Sequence, residues 1–193
     1  TKKIKLAEEL FKKGDFNKVD NIYKELFKHK IYTYDLLISC AFFNKNIKRY
    51  KVAQDLLILS IRKYPKGIKS FLLLSEINIL QKNFKEAEKL LYIAKKIDKN
   101  NSFVYYRFAI LYFTNKNYLN AIKFIDDALM INPNKKEYNI LKADILFNKT
   151  DYKEALFLLL KINIEKNSHL FLQKELLLSK LYLATLDFKK AEF

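Results

Sequence analysis

Aromatic side chains recur at Phe16, Tyr50, Phe84, Tyr118 and Tyr152, each 34 residues after the last. Three positions beyond each stands a small or modest residue: Val19, Ala53, Ala87, Ala121 and Ala155. A second small register, Ala7, Ala41, Ser75, Ala109 and Ala143, keeps the same period, and so do Tyr23, Leu57, Leu91, Ile125 and Leu159. Four registers with one period mean that a single supersecondary unit is stacked repeatedly, because one unit cannot bury its apolar face alone. Within a unit the apolar spacing is helical, as in Val19, Ile22, Tyr23 and Leu26, the stripe of an amphipathic helix. Each unit is therefore expected to be a pair of helices.

The registers return as Ser179, Phe188 and Ala191, displaced by two residues, so the Ile164–Leu170 connection is expected to carry a two-residue insertion. The expected units are 1–34, 35–68, 69–102, 103–136, 137–172 and a shortened 173–193, all in one repeat domain. With a start at Thr1 and an end at Phe193, the chain reads as a fragment of a longer protein lacking its N-terminal targeting region. The compartment is left open, with the cytoplasm the leading expectation. Pro65 and Pro133 fall between units, where proline cannot continue a helix. Asn101-Ser102 and Asn132-Pro133-Asn134 supply cap and turn chemistry at equivalent places. Inside the units Gly14 ends the first helix, and Lys48, Lys82, Lys116 and Thr150 stand at the same turn.

Composition narrows the class further. With 2 Gly and 2 Pro in 193 residues, turn formers are too few for an all-β sandwich, so the chain is expected to be all-α. Catalysis has little to stand on. His29 and His169 are far apart in the array, Gly14 and Gly67 stand alone, and Cys40 shares a packing register with Leu6, Leu74 and Phe108. No zinc spacing, nucleophile with its base or phosphate loop is present. The expectation is a protein that is not an enzyme, with no metal and no cofactor. The net charge of +16 comes from 37 Lys and Arg against 21 Asp and Glu. Only Arg49, Arg62 and Arg107 are arginines. This Lys-rich, Asn-rich and Ile-rich mixture looks like the codon bias of an AT-rich genome, which weakens the inference from charge to nucleic acid.

In these residues the chain resembles the tetratricopeptide repeats, whose helix–turn–helix unit of 34 residues puts small residues where its helices cross. Three departures stand out: no Trp, Lys142 at a first-helix position that is usually apolar, and little glycine at the turns. The resemblance implies a right-handed superhelical solenoid of antiparallel helix pairs, acting as a protein-interaction scaffold or adaptor through a concave surface of first helices. Carried over by position, that surface would present Ile38, Phe42, Lys45, Lys69, Leu72, Leu73, Glu76, Ile79 and Leu80, followed by Phe103, Tyr106, Arg107, Ile110 and Phe113. The Lys–Asn and Lys–Arg pairs with which some relatives hold a chaperone tail carboxylate are incomplete here, as in Ile38/Phe42 for the first and Lys69/Leu73 for the second, so no such tail is expected.

What remains is an apolar, aromatic strip suited to a helical or extended apolar segment of another protein. Nucleic acid or another polyanion, held by the Lys-rich surface, is the alternative partner. Self-association through the shortened last unit is a third expectation.

Overall fold

The computed structural model describes residues 2–28, 32–166 and 168–191, the last six of these as backbone only. The described residues form eleven α-helices, and no strand occurs among them. The chain divides into two compact units, Thr1–Ile97 and Asp98–Phe193.

The first unit holds α1 (Lys2–Lys12), α2 (Phe16–Lys28), α3 (Tyr34–Asn46), α4 (Tyr50–Lys63), α5 (Ile68–Leu80) and α6 (Phe84–Ile97). The second holds α7 (Ser102–Thr114), α8 (Tyr118–Ile131), α9 (Lys136–Asn148), α10 (Tyr152–Lys161) and α11 (His169–Ala191). Packing is heaviest within the sequential pairs α3/α4, α5/α6, α7/α8 and α9/α10, and α1/α2 form a fifth pair. Every second helix of a pair begins on the periodic aromatic residue.

The small-residue registers sit where paired helices cross. Ala7, Ser75, Ala109 and Ala143 are wholly buried and Ala41 is 1% exposed, while Val19, Ala53, Ala87, Ala121 and Ala155 are all at 0%. A methyl or hydroxymethyl group there lets two backbones approach, and a larger side chain would overpack the crossing. Tyr23, Leu57, Leu91, Ile125 and Leu159 fill the space beside each crossing.

The five turns inside the pairs share one geometry. Gly14, Lys48, Lys82, Lys116 and Thr150 all have φ between 59° and 80°, the left-handed region. At the second turn Lys48 N donates to Lys45 O (3.0 Å) and Arg49 N to Asn44 O (2.8 Å). That two-bond pattern satisfies the last carbonyls of the first helix, and it recurs at all five turns. Four of the five left-handed positions carry a side chain, which costs roughly 1–2 kcal/mol each relative to glycine. Packing of the second helix onto the first must offset that cost.

The last element differs from the sequence expectation. Where the registers suggest a turn followed by a new helix at Phe188, α11 runs unbroken from His169 to Ala191. Leu186 stands at the turn register, and a left-handed leucine is disfavoured beside good helix formers such as Leu183 and Ala184. The inserted connection before α11 has a core contact of its own: Ile164 is buried, and Lys174 Nζ donates to Ile162 O at 2.7 Å.

Lys142, out of place by pattern, reaches from α9 to carboxylates on both neighbouring second helices, Asp126 at 3.0 Å and Glu154 at 4.0 Å. His169 opens α11, and His29 lies outside the described residues. Among the described residues no helix is long and apolar enough to cross a membrane, and no group of three or more His, Cys, Asp or Glu could hold a metal ion.

Candidate functional site on the first helices

In the first unit the sequence-selected residues come from α3 and α5. Phe42 is 43% exposed, with its ring edge-on to Phe11 at 6.1 Å. Lys45 Nζ lies 4.9 Å from the centre of the same ring. It also donates to Glu76 Oε1 at 2.7 Å, with only 9% of the Lys45 side chain exposed. These two charges, each expected to address a ligand, therefore address each other and tie α3 to α5.

Leu72 and Ile79 are buried, at 6% and 5% exposure, because α5 is apolar on nearly every side and such a helix is covered rather than displayed. Ile38 and Leu73 are half-buried, Lys69 is exposed, and Leu80 is 56% exposed. A second polar link runs from Tyr23 to Ser39 (2.6 Å) and from Ser39 Oγ to Glu8 Oε1 (3.1 Å). Burial pushes the Tyr23 hydroxyl up to about 12, against the opposing pull of the Ser39 bond.

In the second unit α7 carries an aromatic ladder. Phe103 stacks on Tyr106 at 5.6 Å, and Tyr106 stacks in turn on Tyr138 of α9 at 4.8 Å. Each such pair contributes about 0.5–1.5 kcal/mol beyond simple burial. The Arg107 guanidinium lies 4.9 Å over the Phe103 ring. Ile110 and Phe113 are half-buried, the latter tilted against Tyr118 at 6.2 Å.

Beside the ladder three first helices enclose a half-open pocket of about 300 Å³. Its apolar wall is Tyr106, Ile140, Leu141, Leu170, Leu176 and Leu177, and its polar groups are Glu137, Asp144, Gln173 and Lys180. Asp144 Oδ1 accepts from Asn148 Nδ2 at 3.1 Å. Burial holds its carboxyl above the usual carboxylate value, opposed by Lys180 and the Asn148 bond. Of the sequence-selected residues only Tyr106 reaches this pocket. The others were findable: Ile140 and Leu176 continue the Tyr106 register by one repeat and then by one lengthened repeat, and Asp144 and Lys180 continue Ile110 in the same way. The surface expected from sequence ends on the fourth unit, short of α9 and α11.

Cys40 is 4% exposed, and its sulfur accepts from Asn44 Nδ2 at 3.4 Å. Burial pushes the thiol up to about 12, so the reactive thiolate is suppressed.

Comparison with solved structures gives a TM-score of 0.80 to a thermophilic TPR protein of Thermus thermophilus, at 13% identity over 94% of this chain and 98% of that one. A tetratricopeptide repeat protein from Parabacteroides merdae gives 0.81 at 16% identity, over 98% of this chain and 76% of that one. The chain has the tetratricopeptide-repeat fold. Pseudomonas aeruginosa pilF is also similar to this repeat chain, with a TM-score of 0.71, 14% identity, and coverage of 98% and 95%. Residues 81–162 of the repeat array match the sequence model of the family described as anaphase-promoting complex, cyclosome, subunit 3. No curated protein sequence matches the chain. At these identities the likeness to solved structures concerns the fold.

Proposed function

We propose that the chain is a non-enzymatic scaffold that binds an apolar or amphipathic segment of a partner protein on the exposed faces of its first helices. The observation that carries this reading is the half-open pocket on α7, α9 and α11, where aromatic and aliphatic side chains stand beside Glu137, Asp144, Gln173 and Lys180, a concave site with both the apolar and the polar groups that an amphipathic segment needs. Exposed Phe42, Leu80 and Phe103 supply further apolar contact of the kind that anchors interfaces. The partner segment would place an apolar side chain against Leu141 and Leu176 and a polar group toward Asp144 and Lys180.

The test is selection of a displayed peptide library on the folded chain, followed by calorimetry of the winners at low and physiological salt. Apolar peptides whose affinity changes little with salt, and falls about tenfold or more in Phe103→Glu and Leu141→Glu proteins with unaltered helical content, support the reading. A chain that selects no peptide, yet binds single-stranded RNA with a steep salt dependence, works through its Lys surface instead, and the scaffold reading is then wrong.

A further inference from the structure

The pocket of the second unit has two electrically different ends. Glu137 and Asp144 both line it from α9. Seven residues separate them, so they share a helix face two turns apart, about 10 Å along the axis. Gln173 and Lys180 line it from α11 at the same spacing, each one lengthened repeat after its counterpart on α9. At the Asp144 end the negative charge is answered from inside the pocket: Lys180 acts on the carboxyl, and Asn148 Nδ2 donates to it at 3.1 Å. At the Glu137 end the residue in register on α11 is Gln173, which is neutral. Glu137 is half-buried, and its ion pair is with Lys135, at 3.7 Å and with side chains 46% and 44% exposed. A pair that long and that wet holds the carboxylate only loosely.

Resting on the reading of this pocket as a peptide site, we propose that the partner segment carries a Lys or Arg whose cation pairs with Glu137, beside a large apolar side chain seated between Leu141 and Leu176. Charge selects this occupant. The pocket's charged residues are two carboxylates and one ammonium, in a chain where Lys and Arg outnumber Asp and Glu by 37 to 21. An acidic segment would meet both carboxylates and find the one ammonium already engaged with Asp144. A basic side chain donates to Glu137, and the Gln173 side-chain oxygen can accept a further N–H from it. The apolar wall adjoins that end, because Leu141 follows Glu137 by four residues and Leu176 follows Gln173 by three. The excess charge of the whole chain repels a basic segment at long range while Glu137 attracts it locally, and salt screens both terms. The weak salt dependence expected of a pocket-bound peptide is therefore kept.

Glu137 also lies in the first turn of α9, where a carboxylate suits the helix dipole, so the experiment reads peptide preference rather than stability. Peptides selected by display on the 193-residue chain are compared by calorimetry with versions whose Lys or Arg is replaced by citrulline, a neutral side chain close to arginine in shape. The selected peptides are expected to carry a basic residue next to a large apolar one, and citrulline to weaken them by about tenfold or more. That penalty should vanish in a Glu137→Gln protein of unaltered helical content and persist in Glu86→Gln, whose carboxylate lies on α6 of the first unit. Glu137→Lys should reverse the preference toward a Glu in the peptide. Apolar peptides selected without a basic residue, or a citrulline penalty that survives Glu137→Gln, overturn this proposal and leave the scaffold reading standing. Selection of acidic peptides that depend on Lys180 does the same. A chain that selects no peptide overturns both.

Discussion

At Lys116, φ is 59°, and its N donates to Phe113 O at 2.9 Å while Asn117 N donates to Tyr112 O at 2.8 Å. The backbone fixes this conformation, yet the side chain is exposed and makes no use of it. Replacing Lys116 with Gly should remove the steric cost of a left-handed Cβ and stabilise the protein by about 1 kcal/mol, less what the more flexible unfolded chain takes back. Gly14→Ala is the converse. Its Cβ would meet nothing within 4 Å, but φ is 80°, so a loss of about 1 kcal/mol is expected from backbone strain alone. Urea titration of both variants checks the pair, and an unstable Lys116→Gly protein would mean that the lysine side chain contributes to the turn.

The helix pairs show where sequence was informative and where it fell silent. Contacts inside a pair repeat with the sequence, so the crossings at Ala53 and Ala121, the packing of Leu57 and Ile125, and the helix starts at Tyr50 and Tyr118 were all legible. Links between neighbouring first helices do not follow the 34-residue period. Glu8 meets Ser39 and Lys45 meets Glu76, both at a separation of 31, and although Glu8 and Glu76 share one register, their partners Ser39 and Lys45 do not. Lys45 and Glu76 consequently read as ligand-facing charges until the fold shows them joined. The burial of Leu72 and Ile79 was hidden for a related reason: an evenly apolar helix such as α5 has no hydrophobic stripe to reveal which side is covered. Of the pocket, Tyr106 alone was named from sequence. The Lys45 side chain is nearly enclosed, so Glu76→Ala would leave an ammonium group there without the carboxylate it donates to. A loss of about 1–3 kcal/mol is expected, with little relief from added salt. A double-mutant cycle with Lys45→Met by urea denaturation measures the coupling, and additive effects would mean that the pair contributes nothing.

At the scale of the whole molecule the dominant fact is the net charge of +16. Ion pairs such as Lys51 with Asp55 and Lys89 with Glu86 have mostly exposed side chains, and such pairs contribute up to about 1 kcal/mol each and fade with salt. Added salt acts on two opposed terms, weakening these pairs and screening repulsion among the excess lysines. With 37 cations against 21 anions and a net charge of +16, the excess cations have no carboxylate to lose, so relief of self-repulsion should win. Raising sodium chloride from about 20 to about 200 mM shortens the screening length from roughly 20 to 7 Å. The melting temperature should then rise by about 2–4 °C, the shift that 1 kcal/mol produces in a chain of this size. Calorimetric scans across that range decide the sign. A falling melting temperature would assign net stability to the ion pairs and require the excess lysines to be spaced widely enough not to repel, in which case the positive surface would be a weaker attractor of polyanions than its charge suggests.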